Sequence, residues 1–238
     1  MPTTPEGFAQ RTQTLKGEIV EQGGRVQSML EAAFAAAFDR DEAKAKAAIG
    51  MDDAVDAADV AIEQRCVQVL TEATRGGAEI DARQLREILT IVKANNELER
   101  IADVAVDLAE LVPALGKIGT PLPDTFRVMT NSVIGIVRDV NQSLGRNDPA
   151  LANIVLQSQH AVTAFKAALL REAEQKLAKG VTTPDFAFQL HEMASMCEII
   201  ADHCTNIAEQ VIYLTTGAIV RHMETSWVEI SRPPQSGS

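Results

Sequence analysis

Basic charge, aromatic residues and strand-forming runs are all scarce in this 238-residue chain. Lys and Arg number 22 against 33 Asp and Glu, a formal net charge of −11, with a pI near 4.9. That balance argues against a nucleic-acid binder, which would carry a basic patch or stripe. It also argues against electrostatic adhesion to an anionic membrane. Aromatics make up only 4% of the chain, with one Trp and one Tyr, and alternating runs rich in Val, Thr and Tyr are missing. An all-α fold is therefore expected. No stretch approaches eighteen apolar residues, so no direct membrane insertion is expected. The opening MPTTPEGFAQ lacks a charged region followed by an apolar run, so no signal peptide is expected. A P-loop G-x-x-x-x-G-K-[ST] is absent too, which removes the commonest phosphate cradle. The three cysteines, Cys66, Cys197 and Cys204, fall inside helical patterns. They read as reduced, packed thiols of a cytoplasmic protein.

What the chain does have is a duplication. Leu98 to Glu110, LERIADVAVDLAE, and Cys197 to Glu209, CEIIADHCTNIAE, align with an offset of 99. The alignment sets Glu99 on Glu198, Asp103 on Asp202 and Glu110 on Glu209. A period of this length indicates two related domains rather than a solenoid. The repeated Glu-x-x-x-Asp puts two carboxylates one turn apart on one helix face. Such a pair destabilises a bare helix by a few tenths of a kcal/mol, and a cation between them reverses the sign.

Periodicity and breakers divide each half into three helices. The first helix is expected from Pro5 to Phe38 and the second from Asp41 to Thr74, stopped by Gly76-Gly77. A third runs from about Asp81 to Pro113. Three prolines and two glycines in 113–123 mark a linker. The second half is expected to hold helices from Pro123 to Leu144, Pro149 to Lys179 and Thr183 to His222. The reading is a tandem repeat of two antiparallel three-helix bundles, with six long helices in all. The first spans residues 1–112 and the second 124–230, with a disordered tail from Ser231 to Ser238.

The second helix carries an acidic stripe, Asp52, Asp56, Asp59 and Glu63, and the third carries Glu99, Asp103, Asp107 and Glu110. With the loop between them centred near residue 77, Asp52 stands about 25 positions before it and Asp103 about 26 after. An antiparallel hairpin then levels Asp52 with Asp103 and Asp56 with Glu99, converging four carboxylates, as bundles do when they build metal sites. Oxygen-only ligands suit Mg²⁺, Ca²⁺, Mn²⁺ or iron. A solvated acidic face is the alternative. In the second half, aligning Met51 with Ser158 replaces Asp52 by Gln159, Asp53 by His160 and Asp56 by Thr163. Glu198 and Asp202 thus lose their anionic partners, although His160, roughly level with His203, leaves a histidine-assisted site conceivable. No Glu-x-x-His of a di-iron bundle and no nucleophile elbow is present, so no enzyme is expected.

The motifs NNELERIAD (Asn95 to Asp103), MDDAVD (Met51 to Asp56) and DHCTNIAEQVIYLTTGAIVRH (Asp202 to His222), with the duplication, resemble the PhoU family of phosphate-transport and phosphate-signalling regulators. The likeness covers the chain up to about His222. It implies tandem three-helix bundles whose acidic motifs bind metal: Asp52, Asp56, Glu99 and Asp103 in the first half, Glu198 and Asp202 in the second. The ions implied are Mg, Mn, Zn or Fe. The departures are Gln159, His160, Thr163, and Ile199 where Arg100 stands in the first repeat. The implied function is negative regulation of phosphate uptake and phosphate-starvation signalling by a cytoplasmic adaptor. Its implied partners are the ATPase of the phosphate ABC transporter and a sensor histidine kinase, and a homodimer is expected as well. A metal-storage or redox bundle built on the same carboxylates is the alternative.

Overall fold

The structure, a computed structural model, describes residues 5–223 and 226–231, with side chains described over 7–221. In chain order, α1 is Pro5–Asp39, α2 Glu42–Ile49, α3 Asp52–Arg75, α4 Ala82–Glu110 and α5 Val112–Lys117. Then follow α6 Asp124–Arg146, α7 Pro149–Ala178 and α8 Pro184–Thr216, and a hairpin of β1 Ile219–Met223 and β2 Ser226–Ser231. Six of the helices are long, as expected from the sequence, and α2 and α5 are one- or two-turn pieces.

Local chemistry sets the starts and stops. Asp41 caps α2 by accepting from the N–H groups of Ala43 and Lys44, and Asp148 does the same for Ala150 and Leu151 at α7. At α4, Asp81 and Gln84 form a reciprocal capping box, and Thr183 accepts from the Phe186 N–H at α8. Each such cap contributes about 1 kcal/mol. Asn147 closes α6 in the left-handed region at φ 52°.

Three boundaries differ from the sequence reading. The continuous second helix breaks at Gly50, whose N–H closes α2 on Lys46, and α3 restarts at Asp52. Asp52 and Asp53 therefore occupy the first turn of a helix, where its dipole favours negative charge. The third helix stops at Glu110 rather than Pro113, and part of the expected linker folds as α5, with Pro113 in its first turn and Leu115 buried. Proline fits there because its missing N–H would be unpaired anyway. The last helix ends at Thr216, not His222. Gly217 takes φ 72° at the stop, and the β-branched Ile219 and Val220 continue as a strand paired antiparallel to β2. Ser231, expected in the tail, ends β2; residues 232–238 lie outside the described residues.

In the first half α1 packs on α2, α3 and α4; in the second, α6, α7 and α8 pack on one another. The halves are not held by the linker alone. Helix α4 lies against α8 and α1 against α6, so one apolar core runs through both. At the α1–α6 contact, Phe34 meets Phe126 edge-on at 6.5 Å, and the Arg127 guanidinium lies 3.9 Å over the Phe38 ring. At Gly23 the helices come close, and a Cβ there would sit 2.4 Å from Oδ1 of Asn141, so that side chain would have to turn away to admit one. Helix α8 buries a broad face, with Cys197, Ile200, Cys204, Ile207 and Val211 along its middle and Ala201, Thr205 and Ala208 beside them, and leaves Ile199, Asp202 and Asn206 exposed, as expected of a helix shared by two neighbours.

Candidate functional site

The hairpin of α3 and α4 brings the four first-half carboxylates into mutual electrostatic range. Burial raises Asp52 above the ordinary carboxylate range, and the charges of Asp56, Asp103 and Asp53 push it further. Glu99 is raised by burial and then by Asp103, Asp59 and Asp56, against a smaller opposing effect of Arg100. Asp103 is likewise raised by burial, Asp56 and Asp107, with Arg100 and His203 opposing. Asp56 is the common neighbour of all three. Asp59, which the register count left out, belongs to the same group: burial, Glu63 and Asp56 raise it, while an Asn95 hydrogen bond lowers it. The signal was available, since Asp59 stands one turn after Asp56 on the same face.

This seat is short of positive charge. Like-charged carboxylates at helix spacing repel, and among the described residues the only basic side chains opposing them are Arg100 and His203, both as smaller effects. Oδ1 of Asp52 is buried without a hydrogen-bond partner. Among the described residues no three His, Cys, Asp or Glu side chains already close as a ligand set. The donors nevertheless fit a hard cation in chemistry and in charge, and holding one requires the side chains to turn toward each other.

The second-half pair is in the opposite condition. Thr163 donates to Oε1 of Glu198 at 2.9 Å and the Lys166 ammonium to its Oε2 at 2.7 Å. Gln159 donates to Oδ1 of Asp202. Burial pushes Glu198 up, but the Lys166 and Thr163 hydrogen bonds and the Lys166 charge outweigh it, leaving the acid below its ordinary value. The alignment that sets Met51 on Ser158 sets Asp59 on Lys166, so the repeat exchanges an acid for its counter-ion. The sequence reading stopped at Thr163 and missed it.

His203, expected roughly level with His160, reaches across to α4. Its Nδ1 lies 2.7 Å from Oε2 of Glu97, which also accepts from Asn206 at 3.0 Å. Burial raises Glu97, yet these hydrogen bonds and the nearby His203 and Arg100 charges leave it lowered overall. The three cysteines are buried and unpaired, as expected. Burial pushes the Cys66 thiol up to about 11 and Cys197 to about 12, values that keep them protonated and unreactive.

No helix among the described residues is long and apolar enough to cross a membrane. Compared with known families, the chain matches the PhoU domain twice, over residues 19–112 and 126–211. A phosphate-specific transport system accessory protein PhoU homolog of Xylella fastidiosa is 32% identical over 202 residues, covering 84% of this chain and 81% of that protein. The phosphate-specific transport system accessory protein PhoU of Escherichia coli is 26% identical over 219 residues, covering 91% and 88%. Among solved structures, PhoU from Pseudomonas aeruginosa superposes with a TM-score of 0.81 at 26% identity, over 88% of this chain and 99% of that one. The PhoU structure from Streptococcus pneumoniae gives 0.82 at 22% identity, over 90% and 100%, a likeness of fold.

Proposed function

The chain belongs to the PhoU family, and on that premise we propose that it is a negative regulator of phosphate uptake and phosphate-starvation signalling. It acts as an adaptor between the ATPase of a phosphate ABC transporter and a sensor histidine kinase. Relatives named as accessory proteins of phosphate-specific transport systems, matched over most of the chain, support the pathway. A cytoplasmic location, a homodimeric state and the absence of catalysis belong to the same reading.

One observation carries the metal-binding part: four carboxylates from two helices lie within range of one another, and none of them makes an ion pair among the described residues. Asp52, Asp56, Glu99 and Asp103 would hold the ion, with Mg²⁺, Mn²⁺, Zn²⁺ or iron as candidates. The ion supplies positive charge that relieves the repulsion between α3 and α4. Asp52 brings the unpartnered oxygen, and Asp56 the charge felt by every other member. Glu198 and Asp202 were expected as ligands from the repeat. They already accept from Lys166, Thr163 and Gln159, so we assign the ion to the first half.

Deleting the chain tests the function. Phosphate-starvation genes should be expressed in phosphate-rich medium, and only in strains that retain the transporter and the kinase. Normal repression in the deletion strain would overturn the regulatory reading and favour metal storage on the same carboxylates.

A further inference from the structure

Between α3, α4, α8 and β1 the junction of the two halves encloses a cleft of about 580 Å³. Its size is that of a small-ligand pocket, roughly 300–1,000 Å³, but its lining is polar and charged. Four acids line it. Two are matched from within the chain: Glu97 by His203 and Asn206, and Glu209 by Arg221. The other two, Asp59 and Glu63, stand one turn apart on α3 and make no ion pair among the described residues.

A second observation is independent of that charge. Asn95, on the α4 side of the cleft, is 2% exposed. Its amide nitrogen donates to the backbone carbonyl of Asp59 at 2.9 Å and to Oδ1 of Asp59 at 2.6 Å. Its amide oxygen is buried with no partner. An acceptor left in that state costs about 1–3 kcal/mol, and an N–H donor brought into the cleft removes the cost.

We propose that the cleft docks a basic segment of a protein partner, whose arginine or lysine side chain enters between Asp59 and Glu63 and donates to the Asn95 amide oxygen. The proposal rests on the adaptor reading and adds how a partner is recognised. A guanidinium suits the site because its five donors can serve two carboxylates and an amide oxygen together. A bare ion would leave most of the space unfilled. An anion is disfavoured, since Lys93 is the one lining cation without an ion pair among the described residues, set against two such acids. Lys93 gives the segment a direction, because it repels a second basic residue at its end and favours a carbonyl or an acid there. The Asn96 and Gln210 amides, which make no side-chain hydrogen bond among the described residues, are free to meet the peptide backbone.

The test titrates the full chain with a blocked Ala-Ala-Arg-Ala-Ala peptide and follows the side-chain amide signals of Asn95, Asn96 and Gln210 by proton–nitrogen correlation spectroscopy. These signals should move, and Glu63→Gln should weaken binding about tenfold, the loss of one charge-assisted hydrogen bond. Glu63 is exposed, so this variant should fold, which the same spectrum checks. A blocked Ala-Ala-Glu-Ala-Ala peptide and orthophosphate should leave the signals in place. Equal responses to those anions, an equal response to Mg²⁺ alone, or no response to the arginine peptide each overturn the proposal. Repression lost on deletion, together with a cleft silent to the arginine peptide, would remove the cleft and leave the adaptor. A responsive cleft in a chain whose deletion changes nothing would remove the adaptor.

Discussion

Two Glu-x-x-x-Asp pairs sit at equivalent places in the two halves, and their neighbours give them opposite electrostatics. Facing Glu99 and Asp103 are Asp52, Asp56 and Asp59, so burial and repulsion raise the acids. Facing Glu198 and Asp202 are Gln159, Thr163 and Lys166, so hydrogen bonds and one ammonium lower Glu198. The adjacent helix, rather than the motif, decides whether the pair calls for a cation from solution. Lys166 is a counter-ion tethered to α7 and present at all times. Among the described residues the first half has no equivalent ion-paired cation, and on the proposed reading its charge balance depends on what the solvent supplies. On that proposed reading, a duplicated fold thereby acquires one half that responds to a soluble ion and one that does not.

The strongest way to break this comparison is to make the second half like the first. Gln159→Asp with Thr163→Asp and Lys166→Asp removes every donor to Glu198 and Asp202 described above. Setting three new negative charges against the partly buried Glu198 and the exposed Asp202, with Lys166 removed, should cost about 3 kcal/mol without a divalent cation. For a chain of this size that corresponds to a melting temperature lower by roughly 6–12 °C. Added Mn²⁺ or Mg²⁺ should restore it, and elemental analysis should find more metal than in the parent chain. A triple variant that melts like the parent in chelator would show that Lys166 is not standing in for an ion.

How far the sequence anticipated this difference depends on the kind of signal involved. Long helices were legible from apolar spacing and from Gly and Pro stops, and the level of Asp52 with Asp103 followed from counting outward from residue 77. The break at Gly50 was overlooked because one glycine inside an amphipathic run is weak evidence against roughly 30 helical residues. The C-terminal hairpin was overlooked because Ile219 and Val220 continue an apolar pattern that a helix also satisfies, and Gly217 alone separates the two. Lys166 lay in plain sight in the repeat alignment but outside the carboxylates being matched. The packing of α4 on α8 was least legible, since a shared helix differs from an ordinary core helix only in being apolar on more sides. The His203–Glu97 contact across it links residues 106 positions apart.

A smaller effect sharpens the first half's side of the comparison. Chelator should lower the melting temperature of the parent chain, because a ligand bound only to the folded state stabilises it by about 2.7 kcal/mol at a hundred times its dissociation constant. That corresponds to roughly 5–11 °C. Asp56→Asn with Glu99→Gln should abolish the chelator response and the bound metal. Glu198→Gln with Asp202→Asn should leave both nearly intact. Equal metal loss from the two pairs of substitutions, measured on folded protein, would contradict the assignment of the ion to the first half.

The smallest expected effect compares two acid–cation pairs on α8 itself. Lys166 holds Glu198 below its ordinary value, whereas Arg221 fails to do so for Glu209. Burial raises Glu209 to about 7 from an ordinary 4.5, with Glu97 adding to the rise and Arg221 and Lys93 only opposing it. In the folded chain Glu209 therefore keeps its proton over a range where the unfolded chain has lost it. The folded state binds more protons between pH 4.5 and about 7, so stability falls as pH rises through that window and is flat above it. Glu209→Gln keeps a hydrogen-bond acceptor for Arg221 without the titration. Denaturant unfolding of parent and variant at pH 5.5 and 7 should show the parent losing more, by under about 2 kcal/mol. Parallel losses in the two proteins would mean that Arg221 neutralises Glu209 as fully as Lys166 neutralises Glu198, and this second contrast along α8 would disappear.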